Sequence, residues 1–475
     1  MKQLRVHAPT DFEAGFARIR AELHVPTTFP DDVLAAAEAA TPPDVTRRDA
    51  RDLPFIAIDP PGATDLDQAL VIEETATGFR VHYAIADLGA FIEPGGPIDR
   101  EARERGTTRY SPDLRTPLHP PMISEDRASL LPGVDRPALL WTIDLGAQGE
   151  IAGSHLERAT VTVREAISYA EAQRRIDAGD PALRPLQVVG SLRLQREVDR
   201  GGVSLNLPSQ EIERTPSGGY ALAYDTSLPV EDWNAQISLL TGIVAGSKMV
   251  EHKIGILRTL PPTRRQDLRA LRHQARALGI DWPTELDYPE FIRTVEPTNS
   301  LRAAFLLQAA RSFRGAGYVA FDGVLPDEYE HGAIASVYAH VTAPLRRLVD
   351  RFGNEILLAL YAGESPPQWA VDALDDLPTL MGRARSHESS LERAIIDYTE
   401  AILLGDQVGE TFRAFVIDVD DRRDVAKIQL LDPAVVTTVS SDRLQLGTEI
   451  LVQLDAVDTE ARTVTFTPVG KERHD

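Results

Sequence analysis

The segment Ile58-Asp59-Pro60-Pro61-Gly62-Ala63-Thr64-Asp65-Leu66-Asp67-Gln68-Ala69 puts three aspartates within nine residues, between one apolar stretch and the next. Asp65 and Asp67 stand two apart, so in extended backbone they point to the same side. The Pro60-Pro61-Gly62 turn can fold Asp59 back towards them. Carboxylates gathered in this way repel one another unless a hard cation lies between them. Magnesium accepts one or two carboxylates and completes its shell with water and phosphate oxygens. Two such ions ~3.5–4 Å apart activate water and stabilise the leaving oxygen of a phosphodiester. The same residues also fit a solvated, calcium-binding or capping loop. An EF-hand is a poor match, because the glycine falls at the fourth position and the twelfth is Leu70.

The elements around the cluster read as strands first and helices later. PFIAID, ALVIEE and FRVHYAIAD are β-rich, and in the last Phe79, Val81, Tyr83 and Ile85 alternate with smaller or more polar neighbours. Helical periodicity dominates over 162–177, 184–198, 231–253, 265–278, 300–313, 344–361 and 378–404. That order predicts a large α+β domain over 46–405. Gly405 and Gly409 mark a break. TFRAFVIDVD, VAKIQLL, VVTTVS, EILVQLDAVD and RTVTFTPV then read as five short strands, which predicts an OB-fold barrel over 408–471, a common single-strand binder. Residues 1–45 read as a short helical N-terminal segment, with a helix-turn-helix as an option.

Composition narrows the class without choosing the partner. The chain has 475 residues, 43% of them hydrophobic and 26% charged, as in an ordinary globular protein. No apolar run reaches the ~20 residues that span a bilayer, and the N-terminus lacks the apolar core of a signal peptide. No cysteine is present, which removes disulfides, thiolate metal sites and cysteine nucleophiles. A cytoplasmic, non-membrane protein is expected. The net charge of −22 argues against a nucleic-acid partner at first sight. However, only five basic residues are lysine, and the remaining 45 are arginine, which forks onto phosphate and stacks on bases. A local channel can be basic inside an acidic shell.

The wider segment PFIAIDPPGATDLDQALVIEE resembles the opening motif of the RNase II/RNB exoribonuclease family, in which four aspartates stand at this spacing. Further blocks follow in family order: HYAIADLGAFIEPGGPIDREARERGTTRYSPD, TPLHPPMISEDRASLLPGVDRPAL, YAHVTAPLRRLVDRFGNEIL and SSLERAIIDYTEAILL. The resemblance covers roughly residues 25–405, and the terminal barrel stands where the family has its RNA-binding OB module. It implies a hydrolytic, processive 3′→5′ exoribonuclease acting on single-stranded RNA and releasing 5′-mononucleotides. Magnesium would be the cofactor, with manganese as a substitute, and no obligate protein partner is implied. Asp59 and Asp65 would hold metal, and Asp67 would be the critical catalytic carboxylate. Arg346 would sit against the scissile phosphate, Glu392 would help clamp the 3′-terminal nucleotide, and Tyr110 would stack on a terminal base. Without the resemblance, Arg346 reads as a surface ion pair, Glu392 as an exposed helix glutamate and Tyr110 as a half-buried strand tyrosine.

The chain departs from the family pattern at several positions. Gln68 replaces the fourth aspartate and is expected to ligate metal more weakly through its carboxamide. Ile254, counted along the preceding helix, replaces a second base-stacking phenylalanine. Ala343 replaces a serine, and Asn354-Glu355 replaces a His-Arg pair. Residues 1–45 leave no room for two preceding cold-shock barrels. His82, His119 and His340 lack metal-ligand spacing and read as structural. The second reading, motivated by Gln68, is an RNA-binding protein on a catalytically decayed exonuclease fold.

Overall fold

The computed structural model describes residues 9–469, apart from 205–208, 215–219, 226, 296–301, 303–304, 307–308, 311–312, 314, 421–422, 431–434 and 441–443. The expected helix over 300–313 falls largely outside them. Two helices come first, α1 (Pro9–Glu22) and α2 (Asp31–Ala39). They serve different cores rather than forming a helix-turn-helix. Phe12, Phe16 and Ile19 of α1 pack with the C-terminal part of the chain, whereas Val33 and Ala37 of α2 pack under the first sheet.

That sheet is built from β1 (Arg48–Asp49), β2 (Phe55–Ile58), β3 (Gln68–Thr75), β4 (Gly78–Ala86), β7 (Asp135–Gly146) and β8 (Ile151–Ile167), with the helix α3 (Pro97–Arg105) and the hairpin β5 (Arg109–Tyr110) and β6 (Arg115–Thr116) between. Its order is β1-β8-β2-β3-β4-β7, and β8 also pairs with β7. β8 serves two neighbours because it is seventeen residues long. Its first part runs antiparallel to β7, and Val163–Ile167 run parallel to β2. The sheet therefore curls into a ring. The predicted helix over 162–177 is half wrong for this reason: 162–167 continue β8, and the helix α4 (Tyr169–Asp177) starts only after Ser168, whose hydroxyl accepts from the Glu171 amide. Strand pairing overrides helical periodicity here.

Period-two alternation assigns the strand residues to two faces. Leu70, Ile72, Val81, Tyr83 and Ile85 face one core, and Ala69, Val71, Ala84 and Ala86 the other. The first core is closed by α5 (Arg184–Asp199) and α6 (Pro229–His252). Gly242 of α6 is required by a close approach, since a Cβ there would fall 2.1 Å from the Tyr338 ring. The Ala339 amide donates to the Gly242 carbonyl, so the extended segment 338–342 lies directly on α6.

Beyond a small sheet pair, β9 (Ser209–Arg214) and β10 (Tyr220–Asp225), the chain forms β11 (Ile254–Thr259) and two helices, α7 (Arg265–Ala277) and α8 (Tyr288–Thr294). β12 (Gly317–Asp322) pairs with β11. Three more helices follow: α9 (Leu348–Ala362), α10 (Gln368–Asp372) and α11 (Leu377–Leu404). α9 starts four residues later than predicted, because 343–347 form a loop around Pro344, and the Ala343 amide donates to the Asp350 carboxylate at 2.7 Å. Ile254 lies on β11, not on a helix, and packs beside Ile256, Phe352 and Leu377. The C-terminal strands β13 (Thr411–Asp420), β14 (Val425–Leu430), β15 (Val436–Ser440), β16 (Glu449–Asp458) and β17 (Thr463–Pro468) match the five expected, in the order β15-β14-β13-β16-β17. Their interior residues Ala414, Val416, Ile428 and Leu454 share one core with Phe12 and Phe16 of α1 and Ile395, Tyr398 and Leu403 of α11.

Candidate active site

The aspartate loop is pinned from both ends. The Asp59 amide donates to the Ile167 carbonyl at 3.1 Å, extending the β2–β8 ladder by one step. At the other end the Ala86 amide donates to the Asp67 carbonyl at 2.9 Å. Between them the Ser129 hydroxyl donates to the Thr64 carbonyl at 2.7 Å and accepts from the Leu66 amide at 2.9 Å. Buried Ser129 thus fixes the loop that orients Asp65 and Asp67.

Two arginines face these carboxylates. Arg115, opposite Tyr110 in the β5–β6 hairpin, pairs with Asp65 and reaches Glu125 at 2.7 Å. Arg346 places Nε 3.5 Å from Asp67, whose other oxygen accepts from the Leu345 amide at 2.8 Å. The Arg346 carbonyl accepts from the Thr108 amide at 2.9 Å and the Thr107 hydroxyl at 3.0 Å. The loop carrying Arg346 is therefore fixed, while its side chain remains half exposed. Burial pushes the Asp59 carboxyl up to about 6 against the pull of Arg346, and Asp65 adds to the rise. Burial drives Asp67 well above the ordinary carboxylate range, more than Arg346 and the Leu345 amide offset.

Both shifts come chiefly from burial, which disfavours the charged form of each carboxylate. Among the described residues, however, no three His, Cys, Asp or Glu side chains are gathered closely enough to hold an ion. Asp65 and Asp67 are turned onto Arg115 and Arg346 instead. The donor set of Asp59, Asp65 and Asp67 still fits a hard divalent cation, because one or two carboxylates completed by water and phosphate suffice for magnesium.

Two clefts meet at Arg346 and Arg347. The first, about 540 Å³, is lined by Gln68, Tyr169, Glu231, Asn234 and Thr342 among others. The second, about 350 Å³, holds Tyr110, Arg258, Tyr318, His340 and Glu388. Tyr110 is 52% exposed, which leaves room for its ring to stack. Arg347 pairs with fully buried Asp350 at 2.5 Å.

Several expected residues sit differently from the sequence reading. Glu392 is exposed on α11, and Glu388, one turn earlier, lines the second cleft. Burial and neighbouring Glu392 raise the Glu388 carboxyl, against Arg109 and Arg346. Ile254 lines neither cleft; the second aromatic beside Tyr110 is Tyr318, whose ring lies 4.8 Å from the Arg258 guanidinium. The Gln68 carboxamide is engaged at both ends, its Nε2 donating to the Thr342 carbonyl at 2.7 Å and its Oε1 accepting from the Tyr83 hydroxyl. That arrangement makes it a strut between β3 and the Thr342 segment rather than a free ligand. His119 is buried with its ring pushed down to about 3, and His82 is buried and bonded to Glu73, so both are structural. His340 lines the second cleft and bonds the Tyr318 hydroxyl at 2.7 Å. Asn354 and Glu355 hold Val341 and Arg158, away from the clefts. Arg115, Tyr318 and Glu388 were missed; only Glu388, one turn from Glu392 on the same helix, had a signal in the sequence.

Comparisons with known proteins identify the family and the fold. The exosome complex exonuclease RRP44 homolog A of Arabidopsis thaliana is 28% identical over 331 residues, covering 66% of this chain and 35% of its own length. Ribonuclease R of Escherichia coli (strain K12) is 24% identical over 483 residues, covering 90% of this chain and 58% of its own. The chain thus spans about a third of the length of the RRP44 relatives it matches. The apo form of Mycoplasma genitalium RNase R shares the fold with a TM-score of 0.87 at 18% identity, covering 97% of this chain and 78% of that one. Yeast Ssd1, a pseudonuclease, shares it at 0.73 and 17% identity, over 95% of this chain and 59% of that one. Residues 410–469 match the RNase II-type exonuclease C-terminal S1 domain. Residues 47–363 match the RNB domain, and with two thirds of its length accounted for in this way the chain belongs to the RNB family.

Proposed function

We propose that this protein is a divalent-metal-dependent 3′→5′ exoribonuclease that hydrolyses single-stranded RNA to 5′-mononucleotides in the cytoplasm. The observation that carries the reading is that Asp59 and Asp67 feel Arg346 where the two clefts meet, with Asp65 beside them on Arg115. In this reading residues 46–405 form the catalytic domain, 408–471 anchor RNA, and 1–45 brace both. Asp59, Asp65 and Asp67 would hold magnesium, which lowers the pKa of water and stabilises developing charge when bound. Arg346, half exposed and only loosely paired, can leave Asp67 for a phosphate oxygen and stabilise negative charge there. Tyr110 and Tyr318 offer ring faces to the terminal bases, a sequence-tolerant hold worth ~1–3 kcal/mol per base. In this reading Glu388, which lines the second cleft, would face that terminal nucleotide, whereas Glu392 is exposed one turn on.

The test is 5′-labelled single-stranded RNA incubated with the protein and magnesium. A descending ladder is expected, and Asp67→Asn should abolish it while RNA affinity stays within about threefold, because phosphate and stacking contacts dominate binding. RNA that binds tightly and stays intact would favour the second reading, a binding protein without catalysis, to which the likeness to a pseudonuclease lends support.

A further inference from the structure

Helix α7 carries Arg265, Arg269, Arg272 and Arg276 in a chain whose formal net charge is −22. Steps of four, three and four residues put them on one face, ~6, ~4.5 and ~6 Å apart along the axis. An apolar stripe lies ~110° round the helix from the arginines: Leu268, Leu271, Ala275 and Leu278 pack with Tyr288 and Phe291 of α8. Arg265, Arg269 and Arg276 are exposed, and none has an ion-pair partner among the described residues. Asp267, the one carboxylate of α7, is held by Arg264 at 2.9 Å. Arg272 lies 4.3 Å from the Trp282 ring, whose other side stacks on Phe291. A recess of about 360 Å³ opens past Arg276, between Arg272, Asp281, Trp282 and Thr284.

Like charges four residues apart weaken a helix, so the stripe is unfavourable without a counter-charge. The partner it fits is a repeating anion, and guanidinium forks onto phosphate with two parallel bonds. A membrane surface is disfavoured, because the apolar side of α7 is consumed by the α7–α8 core and cannot enter lipid. The position of this unit matters too. Val203 belongs to both its core and the wall of the 540 Å³ cleft, Arg293 of α8 bonds the Gly202 carbonyl at 2.5 Å, and Leu446 packs on the unit from the barrel side.

We propose that the arginine face of α7 is a track for the phosphate backbone of RNA still outside the clefts. The proposal rests on the exoribonuclease reading, or at least on its RNA-binding part. The experiment measures binding of 6-nucleotide and 30-nucleotide single-stranded RNA by fluorescence anisotropy, without metal, across a salt series. Arg265→Gln/Arg269→Gln/Arg276→Gln should weaken the 30-mer by about tenfold and lower its salt slope by about two to three, while the 6-mer changes less than about twofold. The corresponding triple Arg→Lys variant should keep the slope. Unchanged 30-mer affinity and slope would overturn the proposal, as would equal loss for both lengths or equal loss in the lysine variant. Displacement of the 30-mer from wild type by polyglutamate as readily as by RNA would reassign the face to an acidic polypeptide. Wild-type protein that binds neither RNA would overturn the exoribonuclease reading together with the track.

Discussion

Gln68 bridges an acceptor and a donor at once, which takes both ends of a carboxamide. Its Nε2 reaches the Thr342 carbonyl and its Oε1 takes the Tyr83 hydroxyl, which no aspartate can reproduce. Gln68→Asp is therefore expected to leave the Thr342 carbonyl without its donor and to destabilise the fold by ~1–3 kcal/mol in urea unfolding. The magnesium needed for half-maximal rate should not fall; a clear drop would restore Gln68 as a ligand. Asp59 makes a second, pH-dependent prediction. Its carboxyl titrates near 6, so protons compete with the metal as pH drops through that value. The half-saturating magnesium concentration should rise severalfold between pH 7.5 and 5.5. Asp59→Asn should weaken metal binding and flatten this dependence, and an unaltered profile would remove Asp59 from the metal site.

The elements near the cleft are braced by a helix that looked peripheral in the sequence. Arg20 of α1 forks onto Asp113 at 2.6 and 2.7 Å, and Asp113 lies in the turn of the hairpin that presents Tyr110 and Arg115. Arg20→Ala should loosen that hairpin, raising KM for short oligonucleotides several-fold with little change in kcat; a fall in kcat alone would contradict a positioning role. The sequence made the aspartate cluster, the long helices α6 and α11, and all five barrel strands legible, because each carries a local signal: carboxylate spacing, 3.6 periodicity or short alternating runs. It did not reveal β8 continuing through 162–167, because pairing with β2 is non-local. The jobs of Arg20, Arg115 and Tyr318 were hidden for the same reason, since each depends on a partner far along the chain. Glu392 came from the resemblance, which does not show that Glu388, one turn earlier, is the glutamate that lines the cleft.

At the scale of the molecule, the two ends of the chain share one core. Phe12 and Phe16 of α1, Tyr398 and Leu403 of α11, and Phe412 and Leu454 of the barrel are buried together, and Gly15 is required where a Cβ would fall 1.9 Å from the Tyr398 ring. Arg462 of the barrel also pairs with Glu22 at 2.7 Å. Deleting 408–475 should consequently expose this core, lowering the melting temperature and raising dye binding to apolar surface; a truncated chain that melts like wild type would show the barrel to be independent. Its contribution to RNA affinity is better probed by substitutions on its exposed strands. The same joint has a mechanical meaning. An enzyme that hauls a polymer inward meets drag from the trailing strand, and a barrel gripping that strand would take the recoil. α11 runs from Leu404 in the barrel core to Glu388 at the cleft, sixteen residues or ~24 Å, so it would act as a stiff rod carrying load from a gripped strand to the cleft.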